Sequence, residues 1–170
     1  PLHTYINDEC SRGSLRYGQE KFAKVSMRNC LSNLYTKFRS AKDEGPRMII
    51  GSLTSEEESI DTLMHIIVAQ NIGWDVTYVG NSVPHDEMTY MANRIKASTI
   101  VVALNNPSDV ARKTYEIKTM KELADLKDNI VLIGSQANTY RQIADDVNAV
   151  VSQDLSSFRL TLERLYGLIR

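Results

Sequence analysis

Apolar residues follow two alternating rhythms along most of this chain. From residue 47 onward, short continuous apolar runs recur, each closed by a glycine or a polar turn. Met48–Gly51, Trp74–Val79, Thr99–Leu104, Ile130–Ile133 and Ala149–Val151 are such runs. Their length suits strands, and Thr99–Leu104 is apolar throughout, as a strand covered on both faces should be. Between them apolar positions return at helical spacing. Ile60, Leu63, Met64 and Ile67 form one stripe, ending at Gly73, a residue suited to a helix C-terminal cap. Pro84 fits the first turn of a helix reaching Lys96. Pro107 opens another, with Val110, Ile117, Met120 and Ala124 on one side. Tyr140–Ala144 is a short helix. Leu155, Phe158, Leu162, Leu165 and Ile169 give an amphipathic terminal helix.

Residues 1–42 read differently. They are helical, broken at Arg12, Gly13 and Ser14, with Leu31, Leu34, Tyr35 and Phe38 on one face of the longer helix. Lys42, Asp43, Glu44, Gly45 and Pro46 form a charged linker that cannot continue a helix. The division is therefore a partial helical bundle, or cap, over 1–45 and an α/β domain over 46–170. Five strand–helix repeats with short connections predict a five-stranded parallel, doubly wound α/β sheet. Right-handed crossovers favour the order 2-1-3-4-5. That order puts a ligand at the carboxyl ends of strands one, three and four: Ser52–Glu58, Asn105–Pro107 and Ser135–Asn138.

Composition narrows the function classes. With 20 Lys+Arg against 21 Asp+Glu, the chain lacks the basic excess of a nucleic-acid binder. No apolar run is long enough to span a bilayer, and no signal-peptide pattern occurs, so a cytoplasmic setting is expected. Cys10 and Cys30 make neither a disulfide framework nor a metal spacing. Starting at Pro1 within helical pattern, the chain reads as a piece of something longer. No Walker loop, GxGxxG, GxSxG or HExxH is present, and no nucleophile, base and orienter assemble.

Two stretches carry a resemblance. Gly73–Pro84, GWDVTYVGNSVP, resembles the second strand and loop of cobalamin-binding domains, and Arg12–Ala23, RGSLRYGQEKFA, resembles the helical cap that precedes them. A helical bundle followed by such an α/β domain is similar to the sensor half of light- or cobalamin-responsive MerR-type transcription regulators. Corrinoid carrier proteins and methionine synthase share the pairing. The resemblance covers nearly the whole chain. It also implies a corrinoid site, and there the chain departs. The family's cobalt-binding histidine in the first loop aligns with Glu58, and a following glycine aligns with Asp61. The cap's Glu-His becomes Glu20 and Lys21, and its Trp falls at Cys10. A tail-facing serine after strand three falls at Ala103, and a glycine pair after strand four becomes Gly134 and Ser135. Asn105 completes this set of candidate ligand positions. Cobalt prefers imidazole nitrogen to carboxylate oxygen, and Asp61 would bring bulk and charge to the tunnel that takes the nucleotide tail.

Other candidates have plainer readings. Glu58, Asp61 and His65 share a helical face opposite the apolar stripe, so that face is expected to be solvated rather than to bind a cation. Glu56, Glu57 and Glu58 suit a helix N-terminus, where the dipole favours negative charge. His3, His65 and His85 read as surface residues. Lys21 either meets a ligand under the cap or pairs with Glu20. The loops beginning at Asn105 and Ser135 read first as turn and capping chemistry.

The expectation is a non-catalytic sensor domain of a transcription regulator. It would bind no cofactor, or cobalamin without a first-loop histidine, and would respond to a small-molecule effector if to any. It would act by self-association as a dimer or tetramer through the terminal and cap helices. DNA would be reached only through an upstream domain, and no membrane is involved. The alternative is a genuine corrinoid carrier or methyltransferase-associated protein. Haem in the same scaffold would also miss the loop histidine. A phosphate receiver would need clustered Asp near strand one, where Met48–Leu53 has none.

Overall fold

Five parallel strands lie side by side in the order β2-β1-β3-β4-β5 in a computed structural model that describes residues 2–39, 45–53, 59–105, 108–125 and 129–169. The strands are β1 (Arg47–Ser52), β2 (Asp75–Gly80), β3 (Thr99–Ala103), β4 (Ile130–Ile133) and β5 (Val150–Val151). The helices are α1 (Leu2–Ser11), α2 (Tyr17–Arg39), α3 (Ile60–Ile72), α4 (His85–Arg94), α5 (Val110–Ala124), α6 (Arg141–Asp146) and α7 (Leu155–Ile169). A 3-10 turn, Ala137–Tyr140, precedes α6. The doubly wound sheet and its strand order agree with the sequence pattern. The short helix expected at Tyr140–Ala144 begins instead at Arg141, because the preceding four residues wind more tightly. Of the expected linker, only Gly45 and Pro46 lie within the described residues; Glu58 and Pro107 lie outside them.

Strand alternation divides the core in two. On one face Met48, Ile50, Val101, Ala103, Val131 and Ile133 pack under α3 and α7, with Leu31 and Tyr35 of α2 against the same cluster. On the other Ile49, Ile100, Val102, Ile130 and Leu132 pack under Met88 and Ala92 of α4, Met120 and Leu123 of α5, and Tyr140 and Ala144. Gly73, at φ +111°, caps α3 in the left-handed conformation and returns its N–H to the last helical turn.

Three helix faces differ from the sequence reading. Within the expected stripe of α2, Leu31 and Tyr35 pack inward while Leu34 and Phe38 lie exposed at its edge. On α5, Ile117, Met120 and Ala124 pack on the core as expected, while Val110 is exposed and Glu116, Thr119 and Leu123 are buried beside them. The face opposite the α3 stripe is not solvated. Thr62 and His65 are buried as fully as Leu63 and Ile66, since α3 touches the sheet, α2 and α7 together. Two of the histidines read as surface residues are therefore not: His65 is buried, and His85 is half-buried and paired with Glu122 at 2.8 Å beside a cleft between α4 and α5.

Candidate functional site

At the carboxyl edge of β1, β3 and β4, the described residues after β3 and β4 hydrogen-bond to one another and to α3. After β3, Leu104 N–H donates to Ile133 O at 2.8 Å, and Gln136 N–H returns to Leu104 O at 2.9 Å. The chain leaves β4 at Gly134, whose φ is +103°. A Cβ there would meet Asn105 Oδ1 and Leu104 O at 2.5 Å, so only glycine lets the two loops come this close. Ser135 Oγ donates to Asn105 O at 2.7 Å. Asn105 Nδ2 donates to Thr62 Oγ1 of α3 at 3.2 Å, joining the loop after β3 to the helix after β1.

Of the residues singled out from sequence, Asn105, Gly134 and Ser135 thus come together at this edge. Ala103 does not: it is wholly buried in the core under α3 and α7, because its position in the β3 alternation faces the sheet-helix layer rather than the rim. Asp61 sits in the first turn of α3 with a half-buried side chain, and its carbonyl is taken by His65 Nδ1 at 2.8 Å.

Cys10, Glu20 and Lys21 belong to a second cluster where α1 meets α2. The Glu20 carboxylate forms an ion pair with Lys24, and this bond above all holds its carboxyl below the ordinary range. Partial burial, and then the adjacent Glu20, push the Cys10 thiol up. Lys21 turns away, its ammonium 5.6 Å from the Tyr17 ring centroid. Glu20 therefore pairs with Lys24 rather than with Lys21.

Two buried polar residues escape sequence reasoning. His65 is 2% exposed, packed edge-on against Phe158 with ring centroids 4.9 Å apart. Its Nδ1 donates to the Asp61 carbonyl, and its Nε2 is buried with no partner among the described residues. Glu116, 1% exposed, accepts a bond from Ser108 Oγ at 2.9 Å on one carboxyl oxygen and from Tyr140 OH on the other. Glu116 shares an i, i+3, i+4, i+7 stripe with Thr119, Met120 and Leu123, but only two of these four are apolar, too few to mark the face from sequence.

Among its described residues the edge offers amide and hydroxyl groups, with the Asn105 amide N–H bonded to Thr62 and the Ser135 hydroxyl bonded to the Asn105 carbonyl. Its described residues supply no imidazole to a metal. His65 is sealed in the α3–α7 seam, and His85 pairs with Glu122. The first loop reads Thr-Ser-Glu-Glu-Glu over residues 54–58, hard oxygen donors that suit cobalt poorly. A histidine-ligated corrinoid does not fit this donor set. Among the described residues no group of three or more His, Cys, Asp or Glu is placed to hold a metal ion, and no helix is long and apolar enough to cross a membrane.

No protein-family model and no curated protein matches the chain. Solved structures do. The monomethylamine corrinoid protein of Methanosarcina barkeri superposes with a TM-score of 0.68 at 14% identity, over 95% of this chain and 77% of that one. A cobalamin-binding protein from Desulfitobacterium hafniense gives 0.56 at 13% identity, over 95% and 77%. The methanol:cobalamin methyltransferase complex of Methanosarcina barkeri gives 0.58 at 12% identity, over 97% of this chain and 63% of that one. The chain therefore has a cobalamin-binding-like α/β fold, and at these identities the likeness concerns the fold.

Proposed function

We propose that this chain is a non-catalytic sensor domain of a MerR-type transcription regulator, which keeps a cobalamin-binding-like scaffold and has given up its histidine-ligated corrinoid site. The observation that carries this reading is the donor set at the carboxyl edge. Glu58 and Asp61 stand where the resemblance calls for a histidine and a glycine, and among the described residues Asn105 bonds to Thr62 and Ser135 to the Asn105 carbonyl. A scaffold without that metal ligand would act through its surfaces. α7 exposes Leu160 and Leu168, and α2 exposes Phe22 and Val25, apolar positions that suit contacts between copies. Self-association, biased by an effector, would then set the spacing of DNA-binding parts carried upstream, in the cytoplasm.

The test is an absorbance spectrum. The chain is incubated with hydroxocobalamin or methylcobalamin, desalted and scanned. The expected result is no retained corrinoid chromophore; retention at one equivalent would sink the reading. A second reading, a corrinoid carrier, is favoured by the solved neighbours, each described as a corrinoid or cobalamin protein. Stoichiometric retention in the same spectrum is its signature. Light scattering across a concentration series then checks for the dimer or tetramer.

A further inference from the structure

Glu116 is an odd residue to find where it lies. The inward stripe of α5 needs only apolar side chains to pack on β3 and β4, as Met120 and Leu123 do. A carboxyl group in that position loses its water and gains two hydroxyl partners rather than a cation. The ammonium of Lys113 lies over the Tyr140 ring, 5.4 Å from its centroid. Such an arrangement is a poor route to stability, because a well-packed apolar set of the same volume usually does as well or better. What the carboxyl group achieves is geometric. Ser108 comes from the segment after β3, and Tyr140 ends the 3-10 turn after β4. Each donates to a different oxygen of one rigid group held by α5. Nearer the strands the same two loops are tied again, by Ser135 to Asn105 O and by Gln136 N–H to Leu104 O. Two separated ties remove the hinge that either one alone would leave.

We propose that the Glu116 carboxyl group is a strut that ties Ser108, just before α5, to Tyr140, at the end of the turn after β4, so that the turn over residues 134–140 is held in place from inside α5. The proposal concerns the turn's rigidity and does not depend on what binds there. It stands or falls separately from the corrinoid spectrum.

Amide hydrogen exchange on the full chain tests it. The decisive variant is the triple Ser108→Ala, Glu116→Met, Tyr140→Phe, which removes the two hydroxyl donors and their shared acceptor together. Its denaturant midpoint is expected at or above that of the parent. Its Gln136, Ala137 and Thr139 amides should exchange about tenfold faster, the effect of losing roughly one net hydrogen bond of local stability. Amides of Ile49 and Val101 should keep their rates. The single change Tyr140→Phe keeps the ring and deletes one donor, and should speed the same three amides to a lesser degree. Turn amides at parental rates in both variants would overturn the strut. So would acceleration shared equally by Ile49 and Val101, which would mean that the cluster only adds global stability. If the triple variant does not fold, parental turn rates in Tyr140→Phe overturn the proposal and selective acceleration upholds it.

Discussion

Under α3 and α7, the sheet buries His65 with one nitrogen bonded to its own helix and the other facing no described partner. Under α5 and α6, it buries Glu116 with both oxygens bonded to residues from two different loops. Both side chains sit on helices that follow edge loops, and both are almost wholly enclosed. The first polar group joins nothing beyond its own turn, so its enclosure reads as tolerated. The second connects distant segments, so its enclosure reads as architecture. A buried polar residue is informative in proportion to the sequence distance its hydrogen bonds span, and 24 residues separate Glu116 from Tyr140.

The largest effect expected from challenging this contrast is on the apolar side of the first face. Phe158 is fully buried between α7, α3 and the sheet, and it forms one wall of the His65 site. Phe158→Ala should cost about 3–5 kcal/mol by cavity formation. A urea midpoint read by circular dichroism would measure it. A cost below about 1 kcal/mol would mean that the α3–α7 seam is loosely packed, and the picture of His65 as sealed would fail with it.

How much of this was legible beforehand depends on how each residue is covered. Thr99–Ala103 reads as a strand because both of its faces are buried, and parallel strands with that environment are unbroken apolar runs. The same logic located the edge through Gly134, Ser135 and Asn105. It failed at His65 because amphipathic reasoning assumes one buried face, whereas α3 is enclosed by the sheet, α2 and α7. Glu116 was invisible for a simpler reason. A glutamate on a helix is solvated by default, and nothing local announces that Tyr140 and Ser108 will close over it.

The histidine offers a sharper and opposite test. If its enclosure is merely tolerated, replacing it by an apolar residue of similar volume should help. His65→Leu removes a buried nitrogen that has no described partner and leaves Asp61 O in its ordinary helical role, so a gain of about 1 kcal/mol is expected. Equilibrium unfolding in urea decides it. A loss of about 1 kcal/mol or more would show that Nε2 is engaged by an internal water and that His65, like Glu116, is a working part of the fold.

The smallest effect concerns the start of α7, the helix that closes the first face. Asp154 accepts the Ser157 N–H at 2.7 Å, and Asp154 N–H in turn donates to Ser157 Oγ at 3.1 Å, a reciprocal cap. The Ser157 backbone bond above all holds the Asp154 carboxyl below its ordinary value, with the Ser157 hydroxyl, the Ser156 backbone and nearby His65 adding to it. Because the folded value is the lower one, the cap's ionic contribution is fully present above the ordinary carboxylate value of about 3.9. It is lost as pH falls below that value and through the folded one. Asp154→Asn keeps a capping oxygen and removes the titration. The stability difference between parent and variant should therefore stay level from about pH 7 to pH 5 and shrink on going to about pH 3. Thermal unfolding across that range reads it out. A difference that stays constant to the acid end would mean that the carboxylate's charge contributes nothing to the cap, and that geometry alone holds α7 over the seam where His65 lies.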